Sequence, residues 1–458
     1  MKKPSLVPPP VVAPALTVRR FSYGFAPRFY LLLGLGAVLA IPAWVDPRAI
    51  VAMFAWNLVV LGLWLFDVRR IPSGDAIRAA RTWAAPLTLG SPARVAIQVE
   101  NRGPVRLDVD VTDDVPPSLR SELPRTKVEV GRGESARAEY EITPAERGDA
   151  RLGAVSLRVR SSWSIAERWL SAGIAQTVRV FPDLADARRQ SMFLLRSRQV
   201  ALEKRRARVV GLGRDFESLR DYQPGDDRRD ICWTVTARRG KPVTKVYQPE
   251  RSQAVWILVD GGRLLRARVG DRTKLDGIVN AALGLAEVAL DAGDRVGLIA
   301  YGRQIHASIA PARGARHLRT MVDALATLGV DRAEADHAAA AAVLMAAQKQ
   351  RALVVWLTDV AETAGVPDVI EQAMHLLRQH VVVFAVTRPM ELMQVAATVP
   401  PGEEEMYRIL AVHEILDRRE VLLRGLRQRG VLVLEMDPAA PTAMLIDQYL
   451  TVKERNLV

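Results

Sequence analysis

The sequence predicts a multidomain protein: a two-helix transmembrane hairpin, a β-sandwich, and an α/β domain with a mainly parallel sheet. Three observations carry this reading. Two charge-free apolar stretches, Phe29 to Val45 and Ala49 to Phe66, follow each other across only Asp46-Pro47-Arg48. Residues 75 to 183 hold short runs in which apolar and polar residues alternate. From Ala254 onward, apolar strand-like runs alternate with helix-length segments, the pattern of a parallel sheet covered by helices.

The chain has 458 residues, enough for two to four domains. Nearly half the residues are apolar and a quarter charged, which is the balance of a folded chain. The net charge of +13 suits either nucleic acid or an anionic membrane surface, and the apolar stretches favour the membrane. Cys232 stands alone, so the chain forms no internal disulfide and no cysteine-based metal site.

Residues 1–28 are Pro-rich and basic, with Pro8-Pro9-Pro10, and read as a disordered tail. Residues 29–66 form the hairpin, each stretch long enough for the roughly 17–25 residues a bilayer crossing needs. Trp44 and Trp64 lie near the ends, where amphipathic rings favour the membrane interface. Lys2, Lys3, Arg19, Arg20 and Arg28 precede the hairpin, and Arg69 and Arg70 follow it. This asymmetry places both termini and the soluble domains in the cytoplasm.

Residues 75–183 alternate with period two through Val95–Val99, Arg106–Val111, Thr126–Val130, Ala136–Ile142, Val155–Val159 and Thr177–Phe181, giving the sandwich. Trp163 and Trp169 are expected in the core or in helix–sheet packing. Residues 184–210 read as a basic linker helix, either solvated or touching anionic headgroups.

Residues 211–458 complete the chain. Strands are expected at Ala254–Val259, Val296–Tyr301, Leu353–Leu357, Val381–Val386 and Val431–Leu434, with an edge strand from Gln304 to Ile309. Helices are expected at Lys274–Leu290, Ala315–Leu328, His337–Gln350, Val366–Arg378, Glu403–Arg429 and Pro441–Lys453. Ligands of such sheets bind at the carboxyl ends of strands, where Asp260, Thr358-Asp359, Thr387-Arg388 and Asp437 fall. The sequence holds no P-loop, HExxH, GxSxG or dinucleotide fingerprint. The six histidines show no ligand spacing and read as surface or packing residues.

The densest stretch is Gly213 to Glu250, which interleaves acids, bases, a Pro224-Gly225 turn and Trp233. Charges of both signs argue against a nucleic-acid surface, which is mainly basic. The stretch reads as a salt-bridged lid on the sheet, as a partner-docking surface, or as both. The docking residues are Asp215, Arg220, Tyr222, Gly225, Asp226, Arg229, Trp233 and Arg238, with Trp233 placed on a strand and facing the core.

Gly213-x-Asp-Phe-Glu-Ser-Leu-Arg-Asp-Tyr-Gln-Pro-Gly-Asp-Asp-Arg-Arg-Asp-Ile-x-Trp, followed by Ala237-Arg238, Lys245 and Glu250, resembles the signature of the DUF58 family. Asp260-Gly261-Gly262-Arg263-Leu264 and Leu357-Thr358-Asp359 resemble, in degenerate form, the metal motifs of a von Willebrand factor A domain. That family's first motif is Asp-x-Ser-x-Ser, so both serines are replaced, and its middle threonine has no counterpart. The degenerate site candidates Asp260 and Asp359 are therefore expected to be metal-free, with Arg263 pairing with one of them. The resemblance implies a membrane-anchored, non-enzymatic module without a cofactor. It further implies partnership with a MoxR-type AAA+ ATPase and other von Willebrand A proteins in the assembly or maturation of other proteins. The alternative is a hydrolase using Mg²⁺ or Mn²⁺ on Asp260 and Asp359. It lacks a candidate nucleophile or general base at those strand ends.

Overall fold

The computed structural model describes residues 7–13, 16–44, 46, 50–183, 215–223, 231–248, 253–360, 366–399, 402–438, 440–455 and 457. The expected linker at 184–210 lies outside them. The chain divides into two compact units, Met1–Phe181 and Pro182–Val458.

In the first unit, period-two patterning does what it predicts. Ala93–Asn101 buries every second residue, as does Leu107–Asp113. Ile77–Trp83, Ala93–Asn101 and Ser135–Ile142 pair in one sheet. A five-stranded sheet runs in the order Leu16–Phe25, Ala166–Ala172, Val155–Ser161, Leu107–Asp113, Arg125–Val130. Ile97, Val109, Leu157 and Leu170 belong to one buried cluster. A fully buried arginine sits in this unit: Arg81 forks onto Asp113 (Nε–Oδ2 3.0 Å, Nη2–Oδ1 2.5 Å) and donates to the Ile174 and Gly153 carbonyls. The Tyr140 hydroxyl donates to the same carboxylate, so the buried charges are bonded on every side.

The tail expectation fails for residues 16–25. They form a ten-residue strand that pairs antiparallel with Ala166–Ala172. The Pro run ends at Pro10, and the β-branched and aromatic residues beyond it (Thr17, Val18, Phe21, Tyr23, Phe25) favour a strand. Trp169 is also misplaced by the sequence reading. It lies on the outer face and is exposed. Trp163 packs beside Phe66 at 5.6 Å between ring centroids, with the Arg70 guanidinium 4.7 Å from its ring.

The hairpin takes a different form from the one expected. Pro27–Val38 has 12 residues, about 18 Å of helix, short of the ~30 Å hydrocarbon core. A short 3₁₀ turn, Ile41–Trp44, follows. Pro42 lacks the N–H that a continuing α-helix needs. Ile50–Arg70, with 21 residues, is long and apolar enough to cross a membrane. Its Phe54, Leu58, Leu61 and Leu65 are exposed. The Trp56 indole donates to the Leu32 carbonyl at 2.8 Å, which ties the two helices together.

Near the end of the long helix, Asp67 is fully buried. Its carboxylate accepts from the Ser161 hydroxyl and from the backbone N–H groups of Ile165 (3.2 Å) and Ala166 (2.9 Å). One side chain thus locks the apolar helix to the sandwich. Asp67→Ala leaves these donors buried without partners and should cost about 1–3 kcal/mol. A thermal-shift measurement of the full chain in detergent checks this, and an unchanged midpoint would contradict it.

The second unit is a six-stranded sheet in the order Ile305–Ala312, Arg295–Tyr301, Ala254–Asp260, Leu353–Thr358, Val381–Thr387, Leu432–Met436. The last five are parallel, and Ile305–Ala312 is an antiparallel edge. Ala254–Asp260 and Val381–Thr387 are buried at every position because helices cover both faces. The sheet core includes Trp256, Trp356 and Phe384. Helices lie at Lys274–Asp291, Ala315–Ala326, His337–Ala347, Val366–Leu377, Glu403–Gln428 and Pro441–Glu454, as the periodicity predicts, with a short additional one at Met390–Ala396.

Candidate functional site

Ala254–Asp260 connects to Arg295–Tyr301 on one side, and the chain then returns to place Leu353–Thr358 on its other side. The strand order reverses here, so loops diverge outside the carboxyl ends of Ala254–Asp260 and Leu353–Thr358. This is the crevice where open α/β sheets bind ligands. A cavity of about 290 Å³ opens at this point, lined by Asp260, Arg263, Glu334, Asp336, His337 and Asp359, among others.

Asp260 and Asp359 are only 4 % and 7 % exposed. Each is fully engaged from within the chain. Asp260 accepts from the Thr358 hydroxyl (2.6 Å) on one oxygen and from the Gly262 N–H (2.6 Å) on the other. A Cβ at Gly262 would stand 3.0 Å from that same Asp260 oxygen and from the Ala335 nitrogen, so the turn closes tightly only around glycine. Asp359 accepts from the Val360 N–H (2.9 Å) and pairs with the Lys274 ammonium at 2.6 Å. Burial pushes both carboxyl groups above the usual aspartate range. For Asp359 it outweighs the opposing pull of Lys274, and for Asp260 the neighbouring His337 and the two hydrogen bonds pull back.

Arg263 does not make the expected pair with Asp260 or Asp359. Its Nη2 reaches Glu334 at 2.7 Å on the exposed rim. Lys274 holds the inner position instead. It is the first residue of the helix Lys274–Asp291, whose start is set by a capping box between Thr273 and Asp276. A cation at a helix N-terminus opposes the macrodipole. The buried carboxylate of Asp359 offsets that cost, and the misplaced charge was the sequence signal for this pair.

Sequence reasoning also missed His337, which faces the cavity. The Trp356 indole N–H donates to the Tyr301 hydroxyl at 2.5 Å, and that hydroxyl lies 3.0 Å from His337 Nδ1. Because Trp N–H can only donate, the Tyr301 proton is free to go to Nδ1, which leaves the imidazole proton on Nε2. Burial depresses the His337 pKa and raises that of Tyr301 well above its ordinary value.

The docking residues of the Gly213–Glu250 stretch lie elsewhere. Asp215–Asp221 and Val243–Gln248 form their own antiparallel hairpin, with the helix Trp233–Arg239 between them. Asp215 begins the first strand, Arg220 lies near its end, and the Tyr222 N–H donates to the Pro242 carbonyl. Gly225, Asp226 and Arg229 lie outside the described residues. Trp233 is a correction: it begins the helix rather than sitting on a strand, and it is 68 % exposed. The Ile231-Trp233-Val235 alternation imitated a strand. Gly240, in the left-handed region at φ 67°, instead closes a helical turn over these residues. Arg238 is exposed on the last turn. Among the described residues, no hydrogen bond or ion pair joins Arg220, Tyr222, Trp233 or Arg238 to Asp260 or Asp359.

The inner ion pair gives a direct expectation. Lys274→Met strands a buried carboxylate and should cost about 3–5 kcal/mol. Adding Asp359→Leu to the same chain should recover most of that loss. Denaturant unfolding of the parent chain and the two variants measures both effects, and a neutral single variant would show that the pair holds nothing.

An uncharacterized protein of Mycobacterium tuberculosis, Rv1480, is 32% identical over 155 residues, which is 33% of this chain and 48% of that protein. The uncharacterized protein YeaD of Bacillus subtilis is 28% identical over 118 residues, 26% of this chain and 27% of that protein. The chain therefore spans about half the length or less of these curated relatives. Among solved structures, the proximal thread matrix protein 1 of the mussel byssus is 11% identical, with a TM-score of 0.28 over 43% of this chain and 46% of that one. That score is too low to support an argument about fold. Residues 218–396, which hold most of the hairpin, both strand-end aspartates and the cavity, match the family described as "Protein of unknown function DUF58".

Proposed function

We propose that this chain is a membrane-anchored, non-enzymatic protein-interaction module, built on a von Willebrand A-like sheet, that works with a MoxR-type AAA+ ATPase in the assembly or maturation of other proteins. The observation that carries this reading is the internal neutralisation of the strand-end site. In a von Willebrand A domain this crevice holds a divalent cation on carboxylates and hydroxyls. Here Gly262 and Leu264 stand at the hydroxyl positions, and the Lys274 ammonium is bonded to Asp359. These residues do not fit a divalent cation, because the ammonium occupies the electrostatic role the ion would take. Catalysis by metal-bound water has no support in such a donor set.

Docking then falls to the surface of the family signature. Trp233 and Arg238 are exposed on one short helix, and tryptophan and arginine are the residue types that most often anchor interfaces. The reading places the long apolar helix and its shorter companion in a bacterial inner membrane with both termini cytoplasmic. The Arg and Lys residues flanking them support this orientation.

Two measurements test the proposal. Co-purification of the full chain from native membranes should yield an AAA+ ATPase, and Trp233→Ala with Arg238→Glu should lose it while leaving the melting temperature unchanged. Retention of the same partner by the double variant would count against the docking surface. Calorimetric titration with Mg²⁺ and Mn²⁺ should show no tight site. Tight binding that disappears in Asp359→Ala would favour the hydrolase alternative instead.

A further inference from the structure

A second cavity lies in the first unit, far in sequence from the signature motif. It has a volume of about 640 Å³ and runs across the outer face of the five-stranded sheet. The register orders that face into rungs. In one rung Thr17, Ser171, Ser156 and Thr112 stand on successive strands, and the row ends at Arg125. In the next, Trp169, Arg158 and Asp110 lead to Lys127. Four hydroxyls, an aromatic ring at one end and two cations at the other therefore share one surface.

The state of each group decides what the surface fits. Trp169 is 56 % exposed, and its indole N–H is fixed on Glu167 at 3.0 Å, so its ring is an oriented apolar plate on a polar sheet. Arg158 and Asp110 are held in place by ion pairs to Glu167 and Arg160, each at 2.5 Å. Arg125 and Lys127 are exposed and have no ion-pair partner among the described residues. Two groups on the floor lack partners: the Ser22 hydroxyl, in a residue only 2 % exposed, and one carboxylate oxygen of Asp110. Buried polar atoms without partners are rare in folded chains, and here two of them line one cavity.

We infer that this face is a binding site for an acidic oligosaccharide. The C–H face of a sugar ring packs on an exposed tryptophan while its hydroxyls need neutral donors and acceptors on the floor, which the serine and threonine rung supplies. Oriented Arg and Asp side chains bond neighbouring hydroxyls in pairs. The free Arg125 and Lys127 then take the acid group. From Trp169 to Lys127 is three strand spacings, about 14 Å, so the ligand is longer than a single sugar ring. A peptide docking on a sheet uses the backbone groups of an edge strand. This surface instead presents side chains on the outer face of a sheet, spread across all five strands.

The test uses the full chain in detergent, with trigalacturonate as the acidic probe. Maltotriose serves as its neutral counterpart and tetraglutamate as an anion without sugar rings. Calorimetry should show trigalacturonate binding at least tenfold tighter than either, weakening as salt rises. Trp169→Ala should weaken it at least tenfold. Arg125→Gln with Lys127→Gln should weaken it similarly and flatten the salt dependence. All three positions are exposed, so the variants should keep the parent melting temperature. Absence of trigalacturonate binding at millimolar concentration would overturn the inference. So would equal binding of maltotriose or tetraglutamate, or unchanged affinity in Trp169→Ala.

Discussion

The second unit turns on the ion pair between Lys274 and Asp359. It joins the first turn of the helix Lys274–Asp291 to the carboxyl end of the strand Leu353–Thr358, across the point where the sheet reverses its order. Parallel sheets leave an open crevice at that point, and something must satisfy the polar groups that converge there. Here the chain does so itself. Thr358 and the Gly262 N–H close around Asp260, and Lys274 closes around Asp359. A crevice that most such sheets reserve for a ligand or ion becomes an internally bonded corner. Its remaining capacity lies on the rim, with Glu334, Asp336 and Arg263.

The first unit solves the same problem with different parts. Two of its buried charged groups, Arg81 on Asp113 and Asp67 on two backbone amides, are bonded from within the chain. Asp67 matters because it sits near the end of an apolar helix whose outer residues are exposed. Helix propensity alone does not set how such a helix meets a soluble domain. A buried carboxylate that demands three specific donors does, since any other orientation would leave it unpaired.

Much of this architecture was legible in the sequence. Apolar runs fixed by burial on both faces, such as Leu353–Thr358, can only be central strands, and the helices between them kept their periodicity. What escaped detection was of two kinds. Short alternations mislead: Ile231, Trp233 and Val235 read as a strand, but Trp233–Arg239 forms a helix that Gly240 closes in the left-handed region. Long-range pairing is silent: nothing local said that Leu16–Phe25 would complete a sheet with Ala166–Ala172, or that the cation facing Asp359 would come from residue 274 rather than 263. Arg263 was expected to pair with Asp260 or Asp359. The geometry of the loop gave it Glu334, because the Arg263 backbone bonds Ala333 and carries its side chain to the rim.

Part of the positive charge of the α/β unit is spent on neighbours: Arg419 and Arg427 share Glu435, and Lys453 meets the fully buried Asp294. Such pairs do not attract a distant partner, because their fields cancel within a few ångströms. Arg125 and Lys127 differ, since each stands on the exposed face of the strand Arg125–Val130 without a carboxylate. A positive field survives only where pairing is incomplete, and incomplete pairing coincides there with unbonded polar atoms on the floor of the same cavity. At the strand-end crevice the two innermost carboxylates, Asp260 and Asp359, are instead bonded from within the chain. The two cavities therefore differ in what their floors leave unbonded.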